Sequence, residues 1–333
     1  MMAKHDYDFQ ALMKPVPKSA VFRMVGYQVW CSTVARAADG RYHMLFSRWP
    51  QRLGHRAWVT HSEVCHAAAD HPLGPYEVTG VVLRGSGGDR FDADVVHNPT
   101  MLEVDGRYYL YYMGNKGNGE FWNHRNNQRI GAAVADHPAG PWRRLEEPVV
   151  TVSPGEWDHL MVSNPTVTRM PDGRILMVYK GVGDGPLPRG GPVVLGVAVA
   201  DHPLGPFRKT AGPIMVNPEH DWSVEDPYIW FQDGMFWALV KDFQGYFAGN
   251  DKSSVALFRS PDGIDWRPAA KPFAFKREIA WADGTVQKVD ALERPQLLLE
   301  DGEPAVLFCA VAEDDKRETA YNIHIPLKRP ERL

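Results

Sequence analysis

The sequence predicts an all-β chain folded as a five-bladed β-propeller with four-stranded antiparallel blades, because three different markers recur together. The first is the turn Ala-Asp-His-Pro-x-Gly-Pro at 69–75, 135–141 and 200–206, each copy followed by an aromatic residue (Tyr76, Trp142, Phe207). The copies lie about 66 residues apart, a period that signals stacked or radial units. A weaker copy, SPDGIDW at 260–266, keeps the turn and its closing Trp266. The second marker is an Asp-Gly pair between apolar or aromatic runs: Asp39-Gly40, Asp105-Gly106, Asp172-Gly173, Asp233-Gly234 and Asp301-Gly302. Asp-Gly in that setting is the strongest short-range hairpin signal. The third marker opens the units: His97-Asn98-Pro99, Ser163-Asn164-Pro165, Glu225-Asp226-Pro227 and Glu293-Arg294-Pro295. The first unit lacks the proline and begins near Cys31-Ser32-Thr33.

Each unit therefore reads as opening strand, Asp-Gly turn, second strand, variable loop, third strand, His-Pro turn and outer strand. The expected blades are 27–80, 95–148, 161–215, 224–270 and 290–327, forming one domain over 27–327. The last unit ends after its third strand, so the segment 1–26 is expected to supply a closing strand near 19–24, with 328–333 left as a tail. Such closure leaves no free sheet edge. A β-sandwich would not naturally repeat three markers at one period. A parallel α/β fold is disfavoured, since no amphipathic helical pattern of about 12 residues stands out. The composition agrees: 30 Gly and 27 Pro set turns, while 11 Trp, 12 Tyr and 14 Phe fill sheets.

Composition also narrows the function. With 44% hydrophobic and 23% charged residues and a formal charge of −4, the 333-residue chain is an ordinary globular protein. It lacks the basic balance of a nucleic-acid binder. No apolar run of about 18 residues predicts a membrane span. Cys31, Cys65 and Cys309 are too scattered for a disulfide framework or a thiolate metal site. The N-terminus, with Asp6 and Asp8, has no apolar secretion core, so a cytoplasmic location is expected. No metal or cofactor is expected, and oligomeric state is not encoded in any motif.

In a propeller the opening residues of each blade approach the axis, so charged residues there are the candidates for chemistry. Asp226 stands where two other blades carry Asn98 and Asn164, and Glu225 precedes it. Adjacent carboxylates on an extended chain point to opposite sides, so one of the two is expected to face the axis. Glu293 is the corresponding acid of the next blade, with Arg294 beside it. Asp94 is specific to its blade, whereas Asp92 aligns with Asp158 and reads as packing. The proline at each opening is expected to hold the residue before it extended. His97 and His159 are further polar candidates able to bind a hydroxyl or carry a proton. His71, His137 and His202 recur inside the turn and read as turn stabilisers. Around the mouth, the loop from Arg48-Trp49 to Trp58, the loop with Asn115, Lys116, Trp122, His124 and Arg125, and Lys241 with Phe243 suit stacking on a sugar ring and bonding its hydroxyls. No serine elbow, phosphate loop or dinucleotide fingerprint is present.

The Asn-Pro or Asp-Pro openings, the Asp-Gly hairpins and the SPDGIDW-like turn together resemble the five-bladed glycoside hydrolases grouped around families 43 and 117, over about 27–325. The resemblance implies a small saccharide or oligosaccharide substrate and a single-displacement, inverting hydrolysis. It implies Asp94 as base, Asp226 as the tuning Asp and Glu293 as acid, and the openings and loops read above place His97, Trp122, His124, Arg125, His159, Glu225, Lys241 and Arg294 as the expected substrate contacts. The first blade lacks the acid the family pattern places at its opening. Glycoside phosphorolysis, another carbohydrate transformation, or a noncatalytic binding or scaffolding propeller are the alternatives.

Overall fold

The structure, a computed structural model, describes residues 8–183 and 185–328, so residues 1–7 of the N-terminal segment and 329–333 of the tail lie outside it. Five four-stranded antiparallel sheets are arranged as the blades of a propeller. Blade 1 is Tyr27–Arg36, Tyr42–Pro50, Glu63–Ala69 and Glu77–Leu83; blade 2 is Val95–Val104, Arg107–Asn115, Arg129–Ala135 and Arg143–Arg144. Blade 3 is Met161–Arg169, Ile175–Val182, Val193–Ala200 and Arg208–Lys209; blade 4 is Val224–Gln232, Met235–Asp242, Ser254–Ser260 and Arg267–Phe275. Blade 5 takes Ala291–Glu300, Glu303–Ala312 and Ala320–Pro326 from the end of the chain and its outer strand, Val21–Phe22, from the beginning. Val21 lies opposite Ile323. A small hairpin, Glu278–Ala280 with Val286–Lys288, stands between blades 4 and 5.

The sequence markers become particular pieces of backbone. Asp105-Gly106, Asp233-Gly234 and Asp301-Gly302 form two-residue hairpins with both residues at positive φ, 51–53° for Asp and 77–79° for Gly. Asp and Gly are favoured there because few other residues tolerate that left-handed pair. At Asp39-Gly40 and Asp172-Gly173 the loop is longer, and only the glycine is left-handed. In the repeated turn the Nδ1 of His71, His137 and His202 accepts the N–H two residues on, at 3.2, 3.2 and 3.1 Å. The aromatic residue that follows closes the turn: Tyr76 and Trp142 each donate to the carbonyl of the turn proline.

Both faces of a blade are covered by its neighbours, so the middle strands are apolar throughout rather than alternating. The core is accordingly a set of interblade seams, such as Phe46 with Phe308 between blades 1 and 5, or Tyr111 with Met177 between blades 2 and 3. Asp92 and Asp158 occupy equivalent seams. Asp92 accepts from Tyr112 Oη (2.8 Å) and Arg144 Nη1 (2.9 Å); Asp158 accepts from Tyr179 Oη (3.0 Å) and pairs with Lys209.

At the axis the structure departs from the expected extended openings. Cys31, Asn98, Asn164, Asp226 and Arg294, one per blade, all have φ between 50° and 56°. Each sits where the pairing register of the innermost strand slips, a bulge in every blade. The left-handed residue swings its side chain to the axis, where the five close a hydrogen-bonded ring. Cys31 Sγ donates to Asn98 Oδ1 (2.7 Å), Asn98 Nδ2 to Asn164 Oδ1 (2.7 Å), and Asn164 Nδ2 to Asp226 Oδ1 (2.7 Å). Arg294 completes the circuit, donating through Nη1 to Asp226 Oδ1 (3.2 Å) and through Nε to Cys31 Sγ (2.7 Å). Burial pushes the Cys31 thiol up to about 12, so it enters the ring as a neutral S–H. Left-handed backbone costs roughly 1–2 kcal/mol for a residue with a Cβ. The proline's steric rule yields here because the buried side-chain bonds over-determine the bulge.

Removing one ring member tests this account. Asn98→Gly keeps the left-handed backbone open but takes the acceptor from the Cys31 thiol and leaves Asn164 Oδ1 with Ser163 Oγ alone at 3.2 Å, so unfolding in urea should show a loss of about 1–3 kcal/mol. Asn98→Leu should lose more, because the backbone penalty is added. Equal stability of both variants and the parent would show that the ring contributes nothing.

Candidate active site

The bulges also set what stands above the ring. Trp30, His97, Glu225 and Glu293, each preceding a ring member, line a cavity of about 180 Å³ together with Asn98, Asn164, Asp226 and Arg294 of the ring. Blade 1 supplies an aromatic wall of Trp30, Trp49 and Trp58 with His55. His55 meets the faces of Trp30 and Trp49 edge-on at 4.9 and 5.5 Å, and His97 stacks on Trp58 at 5.0 Å. His97 Nδ1 is held by Ser62 Oγ at 2.8 Å. Burial holds His97 well below the usual imidazole range and His55 at about 4, so both are neutral near pH 7.

The opposite wall is ionic. Glu225 accepts from Lys180 at 2.9 Å and from Lys241 at 3.1 Å. Lys241 also pairs with Glu293, and Arg317 reaches Glu293 at 3.4 Å while bonding Asp290 at 2.7 Å. Burial raises the Glu225 carboxyl, but Lys180 and Lys241 more than offset that and hold it below the ordinary range. Burial likewise raises Glu293, and Lys241 and Arg317 bring it below its ordinary value. Asp226 goes the other way. Burial, and then the neighbouring charge of Glu225, push it up to about 6 against the pull of Arg294. Both ring bonds fall on its Oδ1, which leaves Oδ2 as the site for a proton. Three buried polar atoms of the lining, Arg294 Nη2, Gln128 Nε2 and His55 Nδ1, have no partner among the described residues.

Of the residues singled out from sequence, Asp226, Glu293, Glu225, His97, Lys241 and Arg294 line this cavity together. Glu225 and Asp226 both do so, contrary to the alternation expected of an extended strand, because the left-handed Asp226 interrupts it. Asp94, Trp122, His124, Arg125 and His159 lie outside the lining. Asp94 is partly exposed, and its Oδ2 caps the next loop by accepting Gly117 N–H at 2.8 Å. Buried His124 accepts Gly119 N–H at Nε2 and bonds Asn115 at Nδ1, which fixes that loop. Trp122 packs edge-on with Phe121, and Arg125 donates to the Arg189 carbonyl at 2.8 Å. His159 accepts Gly155 N–H at 2.9 Å within its own loop. The lining adds residues that sequence reasoning did not name as a site: Trp30, His55, Gln128, Lys180 and Arg317. Trp30 had a signal, since it precedes Cys31 as Glu225 precedes Asp226. Lys180 and Lys241 stand at the same place on the second strands of neighbouring blades.

No family model matches the chain. A curated xylosidase/arabinosidase of Bacteroides ovatus is 27% identical over 222 residues, and the chain spans 62% of that relative's length with 62% of its own. Among solved structures, a family 117 glycoside hydrolase from the marine bacterium Zobellia galactanivorans superposes with a TM-score of 0.68 at 16% identity, covering 96% of this chain and 92% of that one. A thermostable family-43 glycoside hydrolase gives a TM-score of 0.62 at 12% identity, covering 96% and 92%. The chain thus shares, along nearly its whole length, the five-bladed propeller of glycoside hydrolases of families 117 and 43.

Proposed function

We propose that the chain is a glycoside hydrolase whose reacting groups are Asp226 and Glu293. The observation that carries this reading is a pair of buried carboxyls on adjacent blades, in one aromatic-walled cavity, tuned in opposite directions. Glycoside hydrolysis needs that division of labour, one carboxyl holding a proton and one ionised. The electrostatics favour Asp226 as the acid and Glu293 as the base, whereas the family resemblance implies Asp94 as base, Asp226 as the tuning Asp and Glu293 as acid. The Asp226 Oδ2 proton passes to the glycosidic oxygen as the bond from that oxygen to the anomeric carbon breaks. Glu293, kept ionised by Lys241 and Arg317, takes a proton from the water whose oxygen bonds to the same carbon; Glu293 then releases that proton to solvent and Asp226 regains one from solvent. Of the three wall tryptophans Trp30 and Trp49 are buried and Trp58 is half-buried, so the sugar contact falls on Trp58. The likeness to a xylosidase/arabinosidase makes pentose glycosides the first substrates to test. A second reading, phosphorolysis, draws on Lys180, Lys241 and Arg317 in the same cavity. It requires that added inorganic phosphate accelerate turnover and appear as a sugar 1-phosphate.

On aryl xylosides and arabinosides, Asp226→Asn and Glu293→Gln should each lower kcat/KM by about 10²–10⁴-fold while leaving the fold intact by circular dichroism. Asp94→Asn, being outside the cavity, should stay within about threefold of the parent. The opposite ranking would return water activation to Asp94.

The pH dependence follows from the same shifts. An acid must be protonated, so kcat/KM should fall as pH rises through about 6, the position of Asp226. Lys241→Met removes the charge that holds Glu293 down, so the acidic limb of the profile, where the base becomes protonated, should move to higher pH. An unmoved acidic limb would show that Glu293 is not the ionised partner.

A further inference from the structure

The rim above the cavity is stitched from blade to blade. Between blades 1 and 2, Asn115 Nδ2 donates to Val59 O at 3.0 Å, and Trp58 meets Phe121 edge-on at 6.2 Å. Between blades 2 and 3, Arg125 and Asn126 on the helix Phe121–Asn126 donate to the carbonyls of Arg189 and Pro188 at 2.8 and 2.9 Å. Between blades 3 and 4, the Arg189 guanidinium lies 5.0 Å over Trp222, which in turn meets Phe243 edge-on at 5.1 Å. Between blades 5 and 1, Gln28 and Gln51 both donate to Glu318 O, at 2.8 and 3.0 Å. The remaining seam, between blades 4 and 5, is crossed lower down by the Lys241–Glu293 pair. Below, the five-residue ring blocks the axis.

A glycan cut internally must enter on one side of the reacting groups and leave on the other, which needs an open groove across the face. Here four of the five seams are bridged at the rim and the floor is closed. The cavity's 180 Å³ lies below the roughly 300–1,000 Å³ of pockets that hold larger ligands and is the scale of one sugar ring. From the closed floor, the stitched rim and this volume together, we propose that the cavity accepts a single terminal residue and that the enzyme acts only at chain ends, releasing monosaccharide. The proposal rests on the hydrolase reading above and adds the class of substrate: a free chain end, with the remainder of the glycan outside the rim. It also gives Arg125 and Asn126 a positioning role away from the reacting atoms, as the pins of one seam.

The test is a timed digestion of xylo- and arabino-oligosaccharides of three to six residues with the full chain, products being separated by size. Monosaccharide appearing together with a chain one unit shorter, ahead of any di- or trisaccharide product of internal cutting, supports the proposal. Di- or trisaccharides accumulating first from the hexasaccharides overturn it. If nothing is cut, the hydrolase reading is what fails, and binding decides the pocket separately, with tryptophan fluorescence as the readout because three tryptophans line it. Free xylose or arabinose binding within about threefold of the affinity of its trisaccharide then supports a one-residue pocket. A trisaccharide that binds far more tightly, or sugars that leave the fluorescence unchanged, overturns it.

Discussion

Five side chains meeting at the axis set everything else in this propeller. Each is delivered by a left-handed bulge, and each bulge is tolerable only because the side chain finds a partner in the next blade. The circuit has a direction. A thiol and two amides pass hydrogen bonds one way round to Asp226, which accepts; Arg294, which can only donate, feeds both ends. A ring of five asparagines would have no charged sink. Replacing one by Asp and its neighbour by Arg creates one charged acceptor and one charged donor, and those sit on the side of the axis that carries Glu225 and Glu293. The same bulges lift Glu225 and Glu293 from the strand faces into the cavity. The structural requirement for blade closure and the placing of the cavity's carboxyls are therefore one requirement.

The opposite tuning of Asp226 and Glu293 comes from what each can reach. Lys241 is shared between Glu225 and Glu293, and Arg317 adds to Glu293, so those acids are ionised despite burial. Asp226 has Arg294, but Arg294 is divided between it and Cys31, and the charge of Glu225 stands beside it. Taking one partner from such a network leaves an uncompensated buried charge, which is costly. The aromatic wall is neutral, with histidines that burial keeps unprotonated, so the field across the cavity runs from the ionic side alone.

The fold was legible because it is written as repeats: turn, hairpin and opening recur at one spacing, and each has a local steric reason. The acids at the openings of blades 4 and 5 were legible for the same reason, since a carboxylate replacing the asparagine of a repeat is visible as a departure. What was not legible is where irregular loops go. Trp122 and His124 have the composition of a binding loop, yet they pack into a short helix on the rim, while Trp49, His55 and Trp58 of another loop turn inward. Asp94 was read as facing the axis because it breaks the repeat, but it breaks it to cap a loop found only in its own blade. The rule that a residue before proline stays extended failed four times, at Asn98, Asn164, Asp226 and Arg294, since local sterics lost to a buried tertiary ring.

The make-up of blade 5 bears on how the chain is synthesised. Val21 pairs with Ile323, so the strand Val21–Phe22 has no partner until some 300 residues later in synthesis. At about 5–20 residues per second that wait is on the order of 15–60 seconds. Phe22 has a place to rest meanwhile, since its ring meets Phe46 at 4.8 Å and Tyr76 at 6.4 Å, both in blade 1. The early strand can dock on the first blade made and hold the seam that the last blade will fill. The contacts of Phe22 with blade 1 are local in sequence, whereas the pairing that closes the propeller needs both ends of the described chain.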